Sequence, residues 1–253
     1  VVTRTPLPFT LRVVTMKTAR RVSAWWWLVA ACAVTLVVVA VGTAIWWAAS
    51  RETRTTSYRV LGDLSGIRLD LGAADVEIDG GGGAVEVRRV DRFAFGHPAA
   101  ERRSVEAGRL EIVSRCPRQV LGDCRASYRV SVPDNVAVEV TTSSGAVRLE
   151  GVRASVQVQT RSGGVAAGGF CGFSLRAITE AGDVSAAADC STERLELRSR
   201  SGDVRAVVPT GRYRVDAESD AGRRRVRGVT ADDDAPYQVQ ALSTTGNVTV
   251  EGA

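Results

Sequence analysis

Two aspartates and a run of arginines are the residues whose types and spacing bear on chemistry. Asp183 and Asp203 each follow a glycine, in Ala-Gly-Asp-Val and Ser-Gly-Asp-Val, and stand 20 residues apart. If the chain stacks at that period, the two carboxylates come close. A close pair raises one carboxyl pKa or holds a calcium ion. The plainer reading is that Gly-Asp makes a good tight turn. Arg223, Arg224, Arg225 and Arg227 form the densest basic cluster. It suits an anionic wall polymer or lipid headgroups, although Asp232-Asp233-Asp234 follow closely enough to neutralise it. His97, in Phe95-Gly96-His97-Pro98, is the only histidine. It has no partners in the pattern from which a catalytic triad is built. No catalytic, metal or cofactor site is expected.

The element that must position these residues is a repeat. Gly145, Gly163, Gly182, Gly202, Gly222 and Gly246 are separated by 18, 19, 20, 20 and 24 residues. Three residues before each glycine stands a hydroxyl: Thr142, Thr160, Thr179, Ser199, Ser219 and Ser243. Seven before stand Val138, Val156, Leu175, Leu195, Val215 and Val239. Within a repeat, apolar residues fall at every second position, as in Val156-Gln-Val158-Gln-Thr160, which is the strand signature. Each repeat therefore reads as a strand, a tight turn at the glycine and a second short strand. A period of this length implies stacked coils. The expected fold is all-β: a single-stranded β-solenoid, or β-helix, of about 19-residue coils, with neighbouring coils ~4.8 Å apart. The hydroxyls keep the buried parity of their strands, so they should form an inward ladder; the alternative is a row of surface turn residues. Ile67, Leu69, Leu71, Val76 and Ile78 fit the template with Ala74 in the glycine position. Arg224 departs from it, standing where other coils have valine, so a bulge or a register slip is expected there.

The net charge of +5 arises wholly from residues 1–50, through Arg4, Arg12, Lys17, Arg20 and Arg21. The remainder is balanced, and this excludes a general nucleic-acid-binding field. The bias toward arginine, with Lys17 the only lysine, points to a GC-rich bacterial genome. Residues 22–50 carry no charge, and tryptophans 25–27 and 46–47 bracket the apolar run. That pattern predicts one transmembrane helix at the plasma membrane, N-terminus cytoplasmic and bulk of the chain extracellular. A cleaved signal peptide is the alternative, with an unusually long apolar region. Met16, followed by Lys17 and Arg20-Arg21, is the expected start, residues 1–15 belonging to an upstream start site. The organisation is thus residues 1–21 as a basic arm, 22–50 as the helix, 51–57 as a linker and 58–253 as the solenoid domain.

Cys32 lies in the apolar span, and Cys116, Cys124, Cys171 and Cys190 lie in the domain. Four cysteines allow three pairings. Cys171 and Cys190 each stand eight residues after their coil's glycine, so they stack in adjacent coils within disulfide reach, leaving Cys116 with Cys124. Their spacing matches no common zinc pattern, and disulfides suit an oxidising exterior.

The stretches Ile67–Ile78, Tyr128–Pro133 leading into Val136–Val140, and Ser201-Gly202-Asp203-Val204 resemble the bacterial family named putative adhesin, a β-strand-repeat domain of unknown function. The resemblance covers residues 58 to 253 except the weak coil around Gly222. It implies an anchored or exported β-solenoid at the cell surface and supplies no catalytic site. Three classes of function remain: a binding module for an envelope polymer, lipid or surface protein; an accessory or sensor of envelope-stress signalling; and, ranked last, a polysaccharide-active enzyme. The chain stops directly after a strand, so its last coil is expected to be an uncovered edge that favours an end-to-end homodimer.

Overall fold

The computed structural model describes residues 21–94, 98–117 and 124–253. The chain divides into two units, Val1–Ala49 and Ser50–Ala253. The first contains helix α1 (Arg21–Ala49). Its apolar stretch Trp25–Ala49 has 25 residues, about 37 Å of helix at ~1.5 Å per residue, against ~30 Å of bilayer hydrocarbon. Its hydroxyls are satisfied within the helix: Thr35 Oγ1 donates to the Ala31 carbonyl at 2.8 Å and Thr43 Oγ1 to that of Val39 at 2.9 Å.

The second unit is built of strands. It opens with β1 (Arg51–Val60), β2 (Gly66–Gly80), β3 (Val85–Ala94), β4 (Ala100–Glu106), β5 (Arg109–Arg115) and β6 (Cys124–Val132). Strand pairs then flank each turn glycine: β7 (Ala137–Ser144) with β8 (Val147–Glu150), β9 (Val156–Ser162) with β10 (Val165–Phe170), and β11 (Ser174–Ala181) with β12 (Val184–Ala188). They continue with β13 (Arg194–Ser201) and β14 (Val204–Val208), then β15 (Arg212–Ser219) and β16 (Arg224–Arg227). The short β17 (Thr230–Ala231) precedes β18 (Gln238–Ser243) and β19 (Val248–Gly252). The first strand of each pair joins one parallel sheet and the second joins another; β2 spans both. This is the expected β-solenoid. Val138, Val156, Leu175, Leu195, Val239 and Val215 stack in one continuous register line.

The coils touch at their turns. A Cβ on Gly163 would lie 2.0 Å from the Gly145 carbonyl oxygen, and one on Gly202 would lie 2.1 Å from that of Gly182. Both glycines also have positive φ, 149° and 153°. The hydroxyl column points inward and bonds to turn-glycine carbonyls of neighbouring coils: Thr179 Oγ1 donates to Gly163 O at 3.1 Å, Ser199 Oγ to Gly182 O at 2.8 Å and Ser243 Oγ to Gly202 O at 2.8 Å. Thr142 Oγ1 reaches Gly72 O at 2.8 Å. Thr160 Oγ1 is buried without a partner among the described residues.

Three expectations are corrected. The last coil in sequence is not the end of the stack: β18 lies between β13 and β15, and β19 between β14 and β16. The outermost coil is β15–β16, so the final strand is covered on both edges. At the opposite end β2 is likewise interior, with β5 and β6 outside it. Arg224 marks neither a bulge nor a slip, because β16 pairs with β19 without a break from Arg224↔Val248 to Arg227↔Glu251. An arginine fits this inward column because no coil lies beyond it. Residues 51–57 are not a linker but most of β1, paired antiparallel with β3 from Arg51↔Ala94 to Val60↔Val85. Both faces of β1 are largely exposed, so its sequence shows no apolar alternation.

The end formed by β1, β3 and β4 is closed by buried charge. Arg89 Nη1 lies 2.6 Å from Glu101 Oε2 and Arg89 Nη2 lies 2.7 Å from Asp91 Oδ1, with all three side chains at most 8% exposed. Tyr128 Oη donates to Glu101 Oε2 at 2.9 Å and Tyr58 Oη to Glu101 Oε1 at 3.3 Å. Arg103 stacks over the Tyr58 ring, 4.1 Å from its centroid. Burial, then the Glu101 carboxylate, hold the Tyr58 hydroxyl well above its ordinary pKa of 10.0. Burial does the same at Tyr128, where a hydrogen bond with Ser114 opposes it and Glu101 adds to it. Burial acts to lower the Arg89 pKa, but the bonds to Asp91 and Glu101 more than offset it.

Two outcomes are expected. Gly202→Ala costs more than ~2 kcal/mol in urea unfolding, since it meets both a left-handed backbone and a carbonyl in contact, whereas Gly83→Ala, with open space around it, stays within ~0.5 kcal/mol. The raised tyrosine values favour the neutral hydroxyl in the fold, so their contribution is fully present below pH 10 and is lost as pH rises above it. The Tyr58→Phe, Tyr128→Phe double variant should therefore show a shallower loss of urea midpoint between about pH 10 and 11.5 than the parent.

Candidate functional site

The arginine cluster falls on the outermost coil. Arg223 lies in its turn and Arg224, Arg225 and Arg227 on β16, the edge strand of its sheet; all four are exposed. The coil is held in place through its backbone: the Arg223 N–H donates to Asn247 Oδ1 at 3.1 Å, and the Val248 N–H donates to the Arg223 carbonyl at 2.9 Å. None of these four side chains makes an ion pair among the described residues. Some other outward arginines pair across coils: Arg68 with Glu139 at 2.8 Å, Arg115 with Asp70 at 2.6 Å, and Arg205 with Glu251 at 2.7 Å.

No residue of the acidic run forms an ion pair with the cluster among the described residues. Asp232 Oδ2 pairs with Arg212 at 3.0 Å, and the Asp233 carbonyl accepts from Arg214 Nε at 2.8 Å. Asp232 Oδ1 caps the Asp234 N–H at 3.0 Å. The run thus serves β15, on the other side of the turn. Four guanidinium groups, three on a free strand edge and one in the turn before it, form a field that attracts phosphate or carboxylate groups.

Asp183 and Asp203 stack in adjacent coils, but they act in single file. Asp183 Oδ1 accepts the Asp203 N–H at 2.8 Å, and Asp203 Oδ1 accepts the Asn247 N–H at 2.7 Å. Each side chain thus ties its turn to the next coil. No group of three His, Cys, Asp or Glu able to hold a metal occurs among the described residues. Disulfides join Cys171 to Cys190, with Cα atoms 4.9 Å apart, and Cys116 to Cys124, with Cα atoms 5.9 Å apart. Cys32 is free and exposed on α1. His97 lies outside the described residues.

A groove of ≈ 750 Å³ crosses the outer face of the sheet containing β7 and β13. Thr141, Gln159, Ile178, Arg198, Leu242 and Glu218 form one register line along it, one residue from each coil. It mixes hydroxyl, amide, apolar and charged groups, and its charges are largely internal: Glu180 lies 3.9 Å from Arg200, and Arg198 Nε lies 2.8 Å from Glu196 Oε1 in an ion pair without a hydrogen bond. Of the two surfaces, the arginine edge has the unspent charge.

The buried Arg89–Asp91–Glu101 cluster was missed in the sequence. Its signal was present, since Arg89 and Asp91 continue the inward parity of Val85 and Val87. Being enclosed, the cluster seals one end of the stack and offers no surface to a ligand.

The sequence model of the Toastrack DUF4097 family matches residues 62–251. No curated protein matches the chain. Among solved structures, the chain is similar to a putative cell adhesion protein from Clostridium sporogenes ATCC 15579, with a TM-score of 0.50 and 11% identity, covering 80% of this chain and 100% of that one. It is also similar to a putative adhesin from Bacteroides fragilis NCTC 9343 (TM-score 0.45, 14% identity, 80% and 97% covered). A third is a putative lipid binding protein from Parabacteroides distasonis ATCC 8503 (TM-score 0.39, 12% identity, 79% and 96% covered). At 11% identity, the likeness to the first of these speaks for the fold alone. With the family model covering three quarters of its length, the chain belongs to the Toastrack DUF4097 family.

Proposed function

We propose that this protein is a membrane-anchored, non-enzymatic binding module of the cell envelope that takes an anionic envelope polymer at its arginine-rich stack end. The observation that carries this reading is a cluster of four exposed arginines within five residues of the outermost coil, Arg223 in its turn and Arg224, Arg225 and Arg227 on its edge strand, none in an ion pair among the described residues. The apolar helix α1 supports a single-pass anchor, and the basic residues before it support a cytoplasmic N-terminus. Two disulfides support placing the domain outside the cell.

A second reading, transmission of a signal through the anchor, rests on connectivity alone: only Ser50 separates α1 from β1 in the chain.

The test is co-sedimentation of residues 50–253, disulfides intact, with isolated cell-wall sacculi and with anionic liposomes. Saturable, salt-sensitive binding to sacculi is expected. An arginine near an anionic surface contributes ~1 kcal/mol, so Arg224→Gln with Arg225→Gln should weaken binding about 30-fold. Binding to neither, or binding indifferent to these substitutions, contradicts the polymer reading and favours a protein partner in the membrane.

A further inference from the structure

One end of the stack is closed by antiparallel strands and the other is left open. At the open end β15 and β16 lead into and out of the turn at Gly222, and each is the last strand of its sheet. Val215 and Val226, on the inward columns, are only partly buried there, whereas their stack neighbours Val239 and Val250 are fully buried. Backbone groups are free as well. The Arg214 N–H donates to the Tyr237 carbonyl and the Val248 N–H to the Arg223 carbonyl, both on the covered side. Alternation along a strand then turns the N–H and C=O groups of Val215, Ala217 and Ser219, and those of Arg224 and Val226, to the open side. The short β17 covers only Arg212 and Tyr213.

The charges of this end are divided between its two strands. Asp216 and Glu218 face outward on β15, and Asp220 follows in the turn. Arg223 precedes β16, on which Arg225 and Arg227 face outward. We propose that the partner of this open end is a second copy of this chain, joined end to end about a two-fold axis parallel to the strands. Such an axis sets β15 of each copy antiparallel to β16 of the other. It also fixes the register, because it leaves every residue at its own height along the strands, so residues equally far from the turn centre meet. Asp216 then faces the partner's Arg227, Ala217 the partner's Val226, Glu218 the partner's Arg225, Ser219 the partner's Arg224 and Asp220 the partner's Arg223. All three acids meet arginines, each pair occurs twice, and no like charges lie directly opposite. The same register brings together the residues whose backbone groups are free. The other possible axis, perpendicular to the sheets, sets β16 against itself and Arg225 against the partner's Arg225 or Arg227, which is destabilising.

One residue opposes the pairing. Arg224 stands on an inward column where other coils have valine, and in the pair the two Arg224 side chains enter one closed core from opposite sheets. Burying an arginine without a carboxylate is costly. The pair is therefore weak and reversible, and at dilution the edge is open. An anionic polymer at the arginines competes with it, but the pairing does not rest on the polymer reading.

Sedimentation equilibrium of the full chain in density-matched detergent, with no polymer present, tests the proposal. A monomer–dimer equilibrium is expected for the parent. Neither Glu218 nor Arg225 makes an ion pair in its own chain among the described residues. Glu218→Arg and Arg225→Glu each replace two opposite-charge pairs by two like-charge pairs, and each should weaken association about tenfold. An equimolar mixture of these two variants restores every pair in the mixed dimer, so it should associate as the parent does. Arg224→Val removes the buried charge and should tighten association by about tenfold or more. A parent and an Arg224→Val chain that both stay monomeric overturn the proposal. So does a dimer that every variant keeps, or a mixture that associates no better than either variant alone.

Discussion

The contact on which this structure depends is the approach of one turn carbonyl to the turn glycine of the next coil. At Gly246, a Cβ would lie 1.9 Å from the Gly202 oxygen, so the backbones meet where no side chain can fit. That carbonyl also accepts the Ser243 hydroxyl, which turns a close approach into a satisfied polar contact inside the stack. The small inward side chains follow from it. With turns this close and two sheets joined at each one, there is room for valine, alanine and leucine between them, and large residues such as Tyr128, Phe170 and Tyr213 occur where the pattern relaxes.

Charge decides what the glycine column leaves open. The column holds coils at one spacing but does not say which coil lies against which, because most inward lines read Val, Leu or Ala. The outward residues discriminate. Neutral Gln238, Gln240 and Thr249 of the last coil separate Arg194 from Arg214, Glu196 from Asp216 and Arg205 from Arg225. The two ends of the stack then differ. One is sealed by antiparallel strands over a buried, ion-paired cluster of Arg89, Asp91 and Glu101. The other is an open edge guarded by arginines, a placement that discourages indiscriminate strand pairing while presenting charge to a ligand.

The legible part of the fold was the part encoded locally and repeated. Turn glycines, hydroxyls at minus three and apolar residues at alternate positions recur in the six coils from Gly145 to Gly246, so their parity shows in the sequence without any knowledge of neighbours. Stack order was illegible because it rests on pairings such as Gln240 with Glu196 and Asp216, which lie far apart in the chain. The Arg51–Ser57 stretch hid for a different reason: an edge strand exposed on both faces needs no apolar alternation. For the candidate site, the arginine cluster was visible as composition. That Asp232 turns away from it was not, since Asp232 reaches Arg212 only through the β15–β17 pairing. Arg224 looked like a defect in the repeat and is instead the mark of the end coil.

Amide hydrogen exchange over residues 50–253 tests the central claim, the insertion of the last coil, most directly. A row of bonds runs through the stack, with Val204 N–H to the Asn247 carbonyl and Val248 N–H to the Arg223 carbonyl, and β16 terminates it. The account predicts that amides of β18–β19 exchange as slowly as those of β13–β14, while inward-column amides of β16 exchange orders of magnitude faster although β16 precedes β18 in the chain. A C-terminal coil that exchanges faster than β15–β16 would contradict it.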